Sequence, residues 1–196
     1  MTARIIGICG GTASGKSTLT RRLVEALPDV KVAELGIDRF YRGPPVKSWD
    51  APEALEAELL LPVVEALASG RDVEVPVYDY HTHSRAGYET FSADFELLII
   101  EGLFPLHWPA IRQRLDFSVY VDCPDDIRLA RRLVRDIKER GRDVDNVVEQ
   151  YLTSVRPMHE QYVAPQKALA DLVVDGQDLA GALAQVVARV KALLAR

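Results

Sequence analysis

The chain has 196 residues, of which 48% are hydrophobic and 27% charged, a balance typical of one soluble globular domain rather than a disordered or fibrous chain. No apolar stretch approaches the ~20 residues that cross a bilayer, and the formal net charge of −5 argues against nucleic acid as a partner. The first residues lead into a predicted strand without a secretion signal, and the two cysteines lie in apolar runs, so we expect reduced core thiols in a cytoplasmic protein without membrane contact.

A glycine-rich motif follows the first predicted strand, which spans residues 4–9. Residues 10–17 match the pattern G-x-x-x-x-G-K-[ST], and leucines at helical spacing then predict a helix over 16–27. In such a loop, backbone N–H groups and the helix N-terminus bind phosphate, Lys16 reaches the β/γ-phosphates, and the Ser17 hydroxyl holds Mg²⁺. The alternative is a glycine-rich turn without a ligand. The motif predicts a nucleoside triphosphate site formed by Gly10, Gly11, Thr12, Ala13, Ser14, Gly15, Lys16, Ser17 and Thr18.

Strand-like and helical patterns alternate along the rest of the chain. Apolar runs lie at 30–37, 96–101, 117–122 and 171–175, and helical patterns lie at 53–68, 125–140, 143–162 and 179–195. This alternation predicts an α/β P-loop NTPase fold, with a mainly parallel sheet flanked by helices and the last helix packed on the sheet. No repeat, low-complexity tract or linker divides the chain, so we expect a single domain over residues 1–196.

Two predicted strands end in acidic residues. Asp38 follows the second apolar run, and Glu101 follows four apolar residues in the third, a Walker-B-like pattern. Ligands of such folds bind beyond the carboxyl ends of the strands, where phosphoryl transfer needs a base and metal ligands. Asp38 is predicted to accept the acceptor's proton and to help hold Mg²⁺, with Glu101 near the metal. Taken singly, each acid could also be a helix cap or a turn residue.

Residues 71–91 interrupt the alternation with a period-two pattern and then a polar, aromatic-rich stretch, which predicts a β-hairpin inserted at the rim of the sheet. Tyr78, Tyr80 and His83 suit contact with a planar heterocycle, although a buried tyrosine is usually a core residue. His81 and His83 form a His-x-His pair, but no cysteine or third histidine lies nearby to complete a zinc site.

Trp49 with Asp50, His107 and His159 are the remaining candidates, and none of them is decisive when taken alone. Trp49 beside Asp50 offers an aromatic ring for stacking and a carboxylate for a diol. His107 and His159 have no comparable context, and we interpret both as structural.

Residues 128–142 carry seven basic side chains and two acids, a net +5 within a chain of net −5. Some of the basic residues share one helical face through spacings of three or four: Arg128, Arg131/Arg132, Arg135 and Lys138. A solvated face with intrahelical ion pairs is the usual explanation of a charge run. The sign imbalance instead favours a lid whose arginines cover the phosphates, with Gly141 as its hinge.

A series of segments in fixed order spans nearly the whole chain beyond the P-loop. These segments are Asp38-Arg39-Phe40-Tyr41, Trp49-Asp50-Ala51-Pro52-Glu53-Ala54, Val75-Pro76-Val77-Tyr78-Asp79-Tyr80, Thr82-His83-Ser84-Arg85, Glu101-Gly102, Asp126-Ile127-Arg128-Leu129, Arg131-Arg132, Arg135-Asp136-Ile137, Glu139-Arg140-Gly141-Arg142-Asp143, Gln150-Tyr151 and Ala170-Asp171. Together they resemble the uridine kinase (uridine-cytidine kinase) family of P-loop kinases. The hairpin motif and the Glu-Arg-Gly-Arg-Asp segment are the most specific parts of the resemblance.

The resemblance implies transfer of the γ-phosphoryl group of ATP, with Mg²⁺, to the 5′-hydroxyl of uridine and also of cytidine, in pyrimidine salvage. It implies a nucleoside partner and an enzyme that is typically a homotetramer. By position, Asp38 matches the catalytic base, and Ser17, Asp38 and Glu101 match the magnesium-associated residues. Arg135 and Arg140 match lid positions near the phosphates and complete, with Asp38 and Lys16, the predicted catalytic set. The predicted acceptor contacts are Asp50 on the ribose hydroxyls, Tyr78 and His83 on the pyrimidine, and Arg132, Arg142 and Gln150.

The acceptor side departs from the family pattern. Ser48-Trp49-Asp50-Ala51-Pro52 stands where the family usually has Asn-Phe/Tyr-Asp-His-Pro, and the segment 42–47 is shorter than usual. The alternative enzyme is a related P-loop kinase of another small metabolite, such as ribulose 5-phosphate or pantothenate. The hairpin region holds only Arg71 and Arg85 besides histidines, which favours a neutral acceptor. A non-enzymatic nucleotide-binding module is the other class of alternative, and it predicts loss of the base or of the lid arginines.

Overall fold

The computed structural model describes residues 3–44, 48–79 and 82–196. Its strands are Arg4–Gly10 (β1), Val32–Gly36 (β2), Val73–Asp79 (β3), Ser84–Phe91 (β4), Leu97–Gly102 (β5), Phe117–Asp122 (β6) and Leu172–Asp175 (β7). Its α-helices are Lys16–Glu25 (α1), Ala57–Ala68 (α2), Pro109–Arg112 (α3), Asp125–Arg140 (α4), Val144–Gln150 (α5), Arg156–Met158 (α6) and Leu179–Leu194 (α7). Short 3₁₀ segments span Ile37–Phe40, Pro52–Ala54 and Ala164–Leu169, and π-helical turns span Tyr151–Val155 and His159–Val163.

Five of these strands form one sheet in the order β2-β5-β1-β6-β7, and every pairing between neighbours is parallel. Parallel neighbours need crossover connections, and the helices between the strands supply them. β1 lies at the centre, where Ile5 pairs with Leu98 of β5 and Ile6 with Phe117 of β6. The predicted α/β class with a parallel sheet is confirmed.

The sheet is covered on both faces, which explains why its strands are continuous apolar runs. On one face Ile6 and Ile8 pack with residues of α1 and α7, among them Leu23 and Val186. The other face, which includes Cys9, packs with α2. The last helix therefore packs on the sheet, as its amphipathic pattern predicts.

The hairpin predicted over residues 71–91 is present as a separate two-stranded antiparallel sheet of β3 and β4. Val75 of β3 is fully buried and joins the core on the α2 side of the main sheet. This contact fixes the base of the hairpin, while its other end reaches the carboxyl ends of the parallel strands.

Two helix predictions differ from the structure at their boundaries. The helix predicted over 53–68 begins at Ala57, because Leu55 is extended and separates it from the 3₁₀ turn at Pro52–Ala54. The helix predicted over 143–162 is not a regular α-helix: π turns flank α6, which contains Pro157. Proline has no N–H for the i→i−4 bond, so the wider π turns are a local accommodation of this residue.

Both cysteines are buried and unpaired. Burial raises the pKa of the Cys9 thiol to about 12, so the thiol is protonated at neutral pH. Within the described ranges, no helix is both long enough and apolar enough to span a membrane.

Candidate active site

A cavity of about 710 Å³ opens beyond the carboxyl ends of β2 and β5, between the P-loop, the hairpin and α4. Many of the residues that the sequence singles out line it: Thr12, Lys16, Ser17, Asp38, Asp50, Tyr78, His83, Glu101, Arg132, Arg135, Arg140, Arg142 and Gln150. The other P-loop residues, Gly10, Gly11, Ala13, Ser14, Gly15 and Thr18, form the frame of the loop rather than the cavity lining. The fold therefore collects these side chains from distant parts of the chain.

The P-loop ends at the N-terminus of α1. Gly15, at φ +103°, occupies the N-cap position, and no described side chain caps the helix or places an acid in its first turn. The left-handed backbone at this position favours glycine. The uncapped N–H groups and the positive end of the helix dipole are thus free to bind phosphate oxygens.

The back of the P-loop is packed against α4. A Cβ at Gly11 would lie 2.6 Å from Arg128 Nη1 and 3.0 Å from His159 Cε1, so any larger residue would displace the Arg128 guanidinium. Arg128, which is 1% exposed, donates from Nε to the Cys123 carbonyl at 3.2 Å, and Arg131 Nη1 donates to the Gly176 carbonyl at 2.9 Å. Arg128 also lies against Gly11, and Arg131 Nη1 lies 3.5 Å from the Ser14 carbonyl, so both arginines contact the P-loop from behind, although the sequence pattern assigns them to the lid's cationic face.

His159 also lies behind the P-loop. Burial and the nearby Arg128 guanidinium lower the pKa of His159 to about 4. The imidazole is therefore neutral at physiological pH, in agreement with its structural interpretation.

Two carboxylates and a hydroxyl face the P-loop lysine. Asp38 lies on the 3₁₀ turn directly after β2, and Gly36 at the end of β2 pairs in register with Glu101 of β5. Lys16 Nζ lies 4.0 Å from Glu101 Oε1, and Ser17 lines the same cavity. Oxygen ligands of this kind suit Mg²⁺, which commonly takes one or two carboxylates and completes its shell with water and substrate phosphates.

The described residues hold no group of three or more His, Cys, Asp or Glu side chains arranged as a metal site. Tyr80 and His81, which the hairpin motif contributes, lie outside the described residues. The donors that line the cavity beside the P-loop are oxygen atoms of Asp38, Glu101 and Ser17.

Aromatic rings form the wall opposite the P-loop. The Trp49 indole stacks on the His83 imidazole at 5.2 Å between centroids, and Tyr41 meets Trp49 edge-on at 5.2 Å. Tyr41 also lies 5.7 Å from the buried Tyr78 ring and donates from Oη to the Trp49 carbonyl at 3.0 Å. No role of Tyr41 is predicted from the sequence, although its position in the Asp-Arg-Phe-Tyr segment is a signal that could have indicated one.

Asp50 projects from the loop beside this wall and is 8% exposed. Burial raises the pKa of its carboxyl, and the positive charges of Arg132 and Lys16 oppose that rise. Ser48 Oγ accepts a hydrogen bond from Asp50 N at 3.1 Å and lies 2.7 Å from Ser154 Oγ in the π turn Tyr151–Val155. The loop that carries Asp50 is thus tied to the helical segment after α5.

Arginines line the side of the cavity formed by α4 and α5. Arg132 donates from Nη1 to Thr12 Oγ1 at 3.1 Å and from Nη2 to Gln150 Oε1 at 2.9 Å. Arg142 Nη1 donates to the same Gln150 oxygen at 2.7 Å. Arg135 and Arg140 also line the cavity, but Lys138 is exposed and does not line it. Asp136 is fully buried at the centre of these arginines, and no role of this residue is predicted from the sequence.

Residues 37–179 of the chain match the model of the phosphoribulokinase / uridine kinase family. This range covers most of the chain, including Asp38, the hairpin and α4.

The chain belongs to this family. It is 38% identical to a uridine kinase of Clostridium botulinum (strain 657 / Type Ba4) over 199 residues, which cover 97% of each chain. It is 39% identical to a uridine kinase of Staphylococcus aureus (strain JH9) over 178 residues, which cover 87% of this chain and 86% of the relative. A phosphoribulokinase from Rhodobacter spheroides shares the fold, with a TM-score of 0.70 at 18% identity, and the match covers 89% of this chain and 70% of that one.

Family membership makes the chain a phosphotransferase that acts on a hydroxyl acceptor, with ATP as the donor that a kinase implies. The resemblance found in the sequence is confirmed at the level of the family. Family membership also decides against the alternative of a non-enzymatic nucleotide-binding module. The predicted base Asp38 and the arginines Arg135 and Arg140 line the same cavity as Lys16.

Proposed function

We propose that this kinase transfers the γ-phosphoryl group of ATP, with Mg²⁺, to the 5′-hydroxyl of uridine and also of cytidine, in cytoplasmic pyrimidine salvage. The observation that carries the proposal is one cavity in which a P-loop, the acid Asp38 and an aromatic wall with the buried Asp50 face each other. The identity to relatives named uridine kinase, over 97% and 87% of this chain, supports the choice of acceptor.

The donor half of the reaction follows from the P-loop. Its N–H groups and Lys16 bind the β- and γ-phosphates, and α1 adds its dipole. Ser17, Asp38 and Glu101 would hold Mg²⁺, which offsets phosphate charge when bound. Arg135 and Arg140 supply positive charge to the transferring group, whose negative charge is stabilised by positioned cations.

The acceptor half places a nucleoside between Asp38 and the aromatic wall. Asp38 takes the proton of the 5′-hydroxyl while the new O5′–P bond forms and the bond from the γ-phosphorus to the bridging oxygen breaks, releasing ADP. Asp50 accepts hydrogen bonds from the vicinal ribose hydroxyls, and Tyr78 and His83 contact the pyrimidine.

A neutral acceptor fits the charge distribution of the hairpin wall. Arg85, the hairpin cation nearest this wall, is ion-paired with Glu56 at 2.5 Å and lies against the Tyr88 ring. It is therefore engaged within the protein and is poorly placed to recognise a phosphorylated acceptor such as ribulose 5-phosphate. Arg132 and Arg142, with Gln150, are left to contact the nucleoside.

Two further assignments complete the proposal. The C-terminal part of the predicted lid 128–142, which carries Arg135 and Arg140, covers the phosphates, with Gly141, at φ +62° directly after α4, as its hinge. Arg128 and Arg131 belong to the fixed packing behind the P-loop. The enzyme is a homotetramer, as the family resemblance implies.

An acceptor panel tests the proposal. ADP release is measured with Mg-ATP and uridine, cytidine, 2′-deoxyuridine, ribulose 5-phosphate or pantothenate, with Lys16→Ala as the inactive control. We expect turnover with uridine and cytidine, weak turnover with 2′-deoxyuridine because Asp50 loses a partner, and none after chelation of Mg²⁺. Turnover chiefly with ribulose 5-phosphate or pantothenate would overturn the proposed acceptor.

A further inference from the structure

A single carboxylate lies at the centre of the arginine cluster beside the cavity. Asp136 of α4 is 0% exposed, and nitrogens of four arginines lie within 4 Å of its oxygens. The distances are 2.8 Å from Arg135 Nη2 to Oδ1, 3.5 Å from Arg132 Nε to Oδ2, 3.6 Å from Arg140 Nη1 to Oδ1 and 3.5 Å from Arg142 Nη1 to Oδ2.

The same residue also fixes the chain beyond α4. The Asp136 carbonyl accepts a hydrogen bond from Arg142 N at 3.1 Å, which closes the turn through Gly141. Like charges this close repel one another, and a buried carboxylate between them offsets that repulsion and gives each guanidinium a fixed direction. Asp136 thus determines where several cations lie relative to the cavity.

The four arginines differ in how much they depend on Asp136. Arg132 is also held by Thr12 and Gln150, and Arg142 is also held by Gln150 and by Asn146, at 2.7 Å from Nη2 to Oδ1. For Arg135 and Arg140, Asp136 is the one ion-pair partner within the part of the chain that the structure describes. Loss of the carboxylate would therefore release Arg135 and Arg140 first.

We propose that Asp136 is a positioning residue for phosphoryl transfer, which holds Arg135 and Arg140 in the direction of the transferring phosphate. The inference rests on the proposed function for the roles of these arginines. The proposal predicts different effects on the two kinetic constants. Loss of Asp136 lowers kcat, because cations that stabilise the transition state act on kcat. The KM for the acceptor changes less, because it depends mainly on Arg132 and Arg142, which remain hydrogen-bonded to Gln150.

A double-mutant cycle of Asp136→Asn and Arg135→Ala tests the coupling. Asp126→Asn, which removes the same charge from an exposed position of the same helix, is the matched control. Calorimetric titration with Mg-ATP gives the fraction of competent protein, and kcat is expressed per competent site. We expect Asp136→Asn to lower kcat by about 10- to 100-fold, which corresponds to the loss of one charge-assisted hydrogen bond. The KM for uridine should change by less than about 3-fold.

The cycle separates positioning from a general structural role. If Asp136 acts through Arg135, Arg135→Ala costs much less in the Asp136→Asn background than in the wild type. Costs that simply multiply, or a kcat for Asp136→Asn equal to that of the control, would overturn the proposal.

A second variant covers the case in which Asp136→Asn does not fold. Arg135→Lys keeps the charge at a side chain that is 30% exposed but removes the guanidinium through which Nε and Nη2 contact Asp136 Oδ1. We expect unchanged thermal stability and a kcat at least about 10-fold lower; wild-type kcat would contradict the inference.

Phosphorylation of uridine by the wild type tests the proposed function separately. If the wild type leaves uridine unphosphorylated, the proposed acceptor is wrong, and the cycle is measured on whichever compound of the acceptor panel it phosphorylates.

Discussion

Asp38 is the residue on which the proposed chemistry depends most directly. It follows β2 on a 3₁₀ turn and shares the cavity with Lys16 and Glu101. Asp38→Asn keeps the shape of the side chain and removes its basicity. Because general-base catalysis contributes about 10²- to 10⁴-fold, we expect kcat to fall by that factor while the Kd for uridine, measured by calorimetry, changes little.

Asp29→Asn, at an exposed position before β2, serves as the control for the loss of one negative charge. A variant at position 38 that loses uridine binding but keeps kcat would show that Asp38 is a ligand contact and not the base.

His159 predicts a pH dependence of stability. Its pKa is lowered from the ordinary 6.5 to about 4 in the folded state, so the unfolded chain binds the extra proton between these values. The free energy of unfolding is therefore highest above pH 6.5 and falls as the pH drops toward 4. We expect the decrease in Tm between pH 7 and pH 5 to be smaller in His159→Gln than in the wild type.

Gln161→Ala, which changes an exposed side chain that does not titrate in the same π turn, is the control and should leave the pH dependence of Tm unchanged. An identical Tm profile for His159→Gln and the wild type would contradict the burial of a neutral imidazole behind the P-loop.

Residues differ in how readily the sequence reveals them. Lys16 and Ser17 stand out because their chemistry is encoded in local spacing, and Glu101 because it ends an apolar strand. The role of Asp136 depends on four arginines that converge on it in space, and one of two acids in a basic run carries no such signal. Gly11 matches the phosphate-loop pattern, but that pattern does not show that the Arg128 and His159 side chains lie against this glycine.

At the scale of elements, the loop that carries Asp50 departs from the family pattern at Ser48, and Ser48 ties this loop to the π turn Tyr151–Val155. Ser154→Ala removes the 2.7 Å contact with Ser48 Oγ without touching the cavity lining. A hydrogen bond contributes roughly 0.5–1.5 kcal/mol, so we expect the uridine KM to rise by about 2- to 10-fold with kcat unchanged. The effect should be smaller for 2′-deoxyuridine, which lacks one partner of Asp50.

Thr153→Ala, which removes a hydroxyl bonded to Glu149 O in the same turn, is the control and should leave both KM values unchanged. Equal KM changes in the two variants would indicate a general weakening of the turn and contradict a role in holding Asp50.

The regular elements could be predicted from the sequence where one period dominates. β1, α1, β5, β6 and α4 lie within about two residues of their predicted bounds, because apolar runs and helical spacing are unambiguous there. The π turns around α6 could not be predicted, since Pro157 within a helical pattern is compatible with a kink, a break or a wider turn.

At the scale of the whole molecule, the site exists because a parallel sheet brings strand ends together. The order β2-β5-β1-β6-β7 sets the P-loop next to Glu101, and Asp38 next along the same edge. The two faces of the sheet are packed separately, with α1 and α7 on one side and α2 with the hairpin base on the other. The sequence predicts this arrangement as a fold class, but the convergence of α4, α5 and the hairpin on one cavity needs three-dimensional contacts.

Transfer of label from [γ-³²P]ATP tests the central claim most directly. The enzyme is incubated with Mg-ATP and either uridine or 5′-deoxyuridine, which lacks the accepting hydroxyl, and the products are separated by chromatography, with Lys16→Ala as the inactive control. The proposed reaction predicts label in uridine 5′-monophosphate and none on 5′-deoxyuridine. Equal labelling of both compounds, or an unlabelled uridine fraction from enzyme that labels another acceptor, would contradict it.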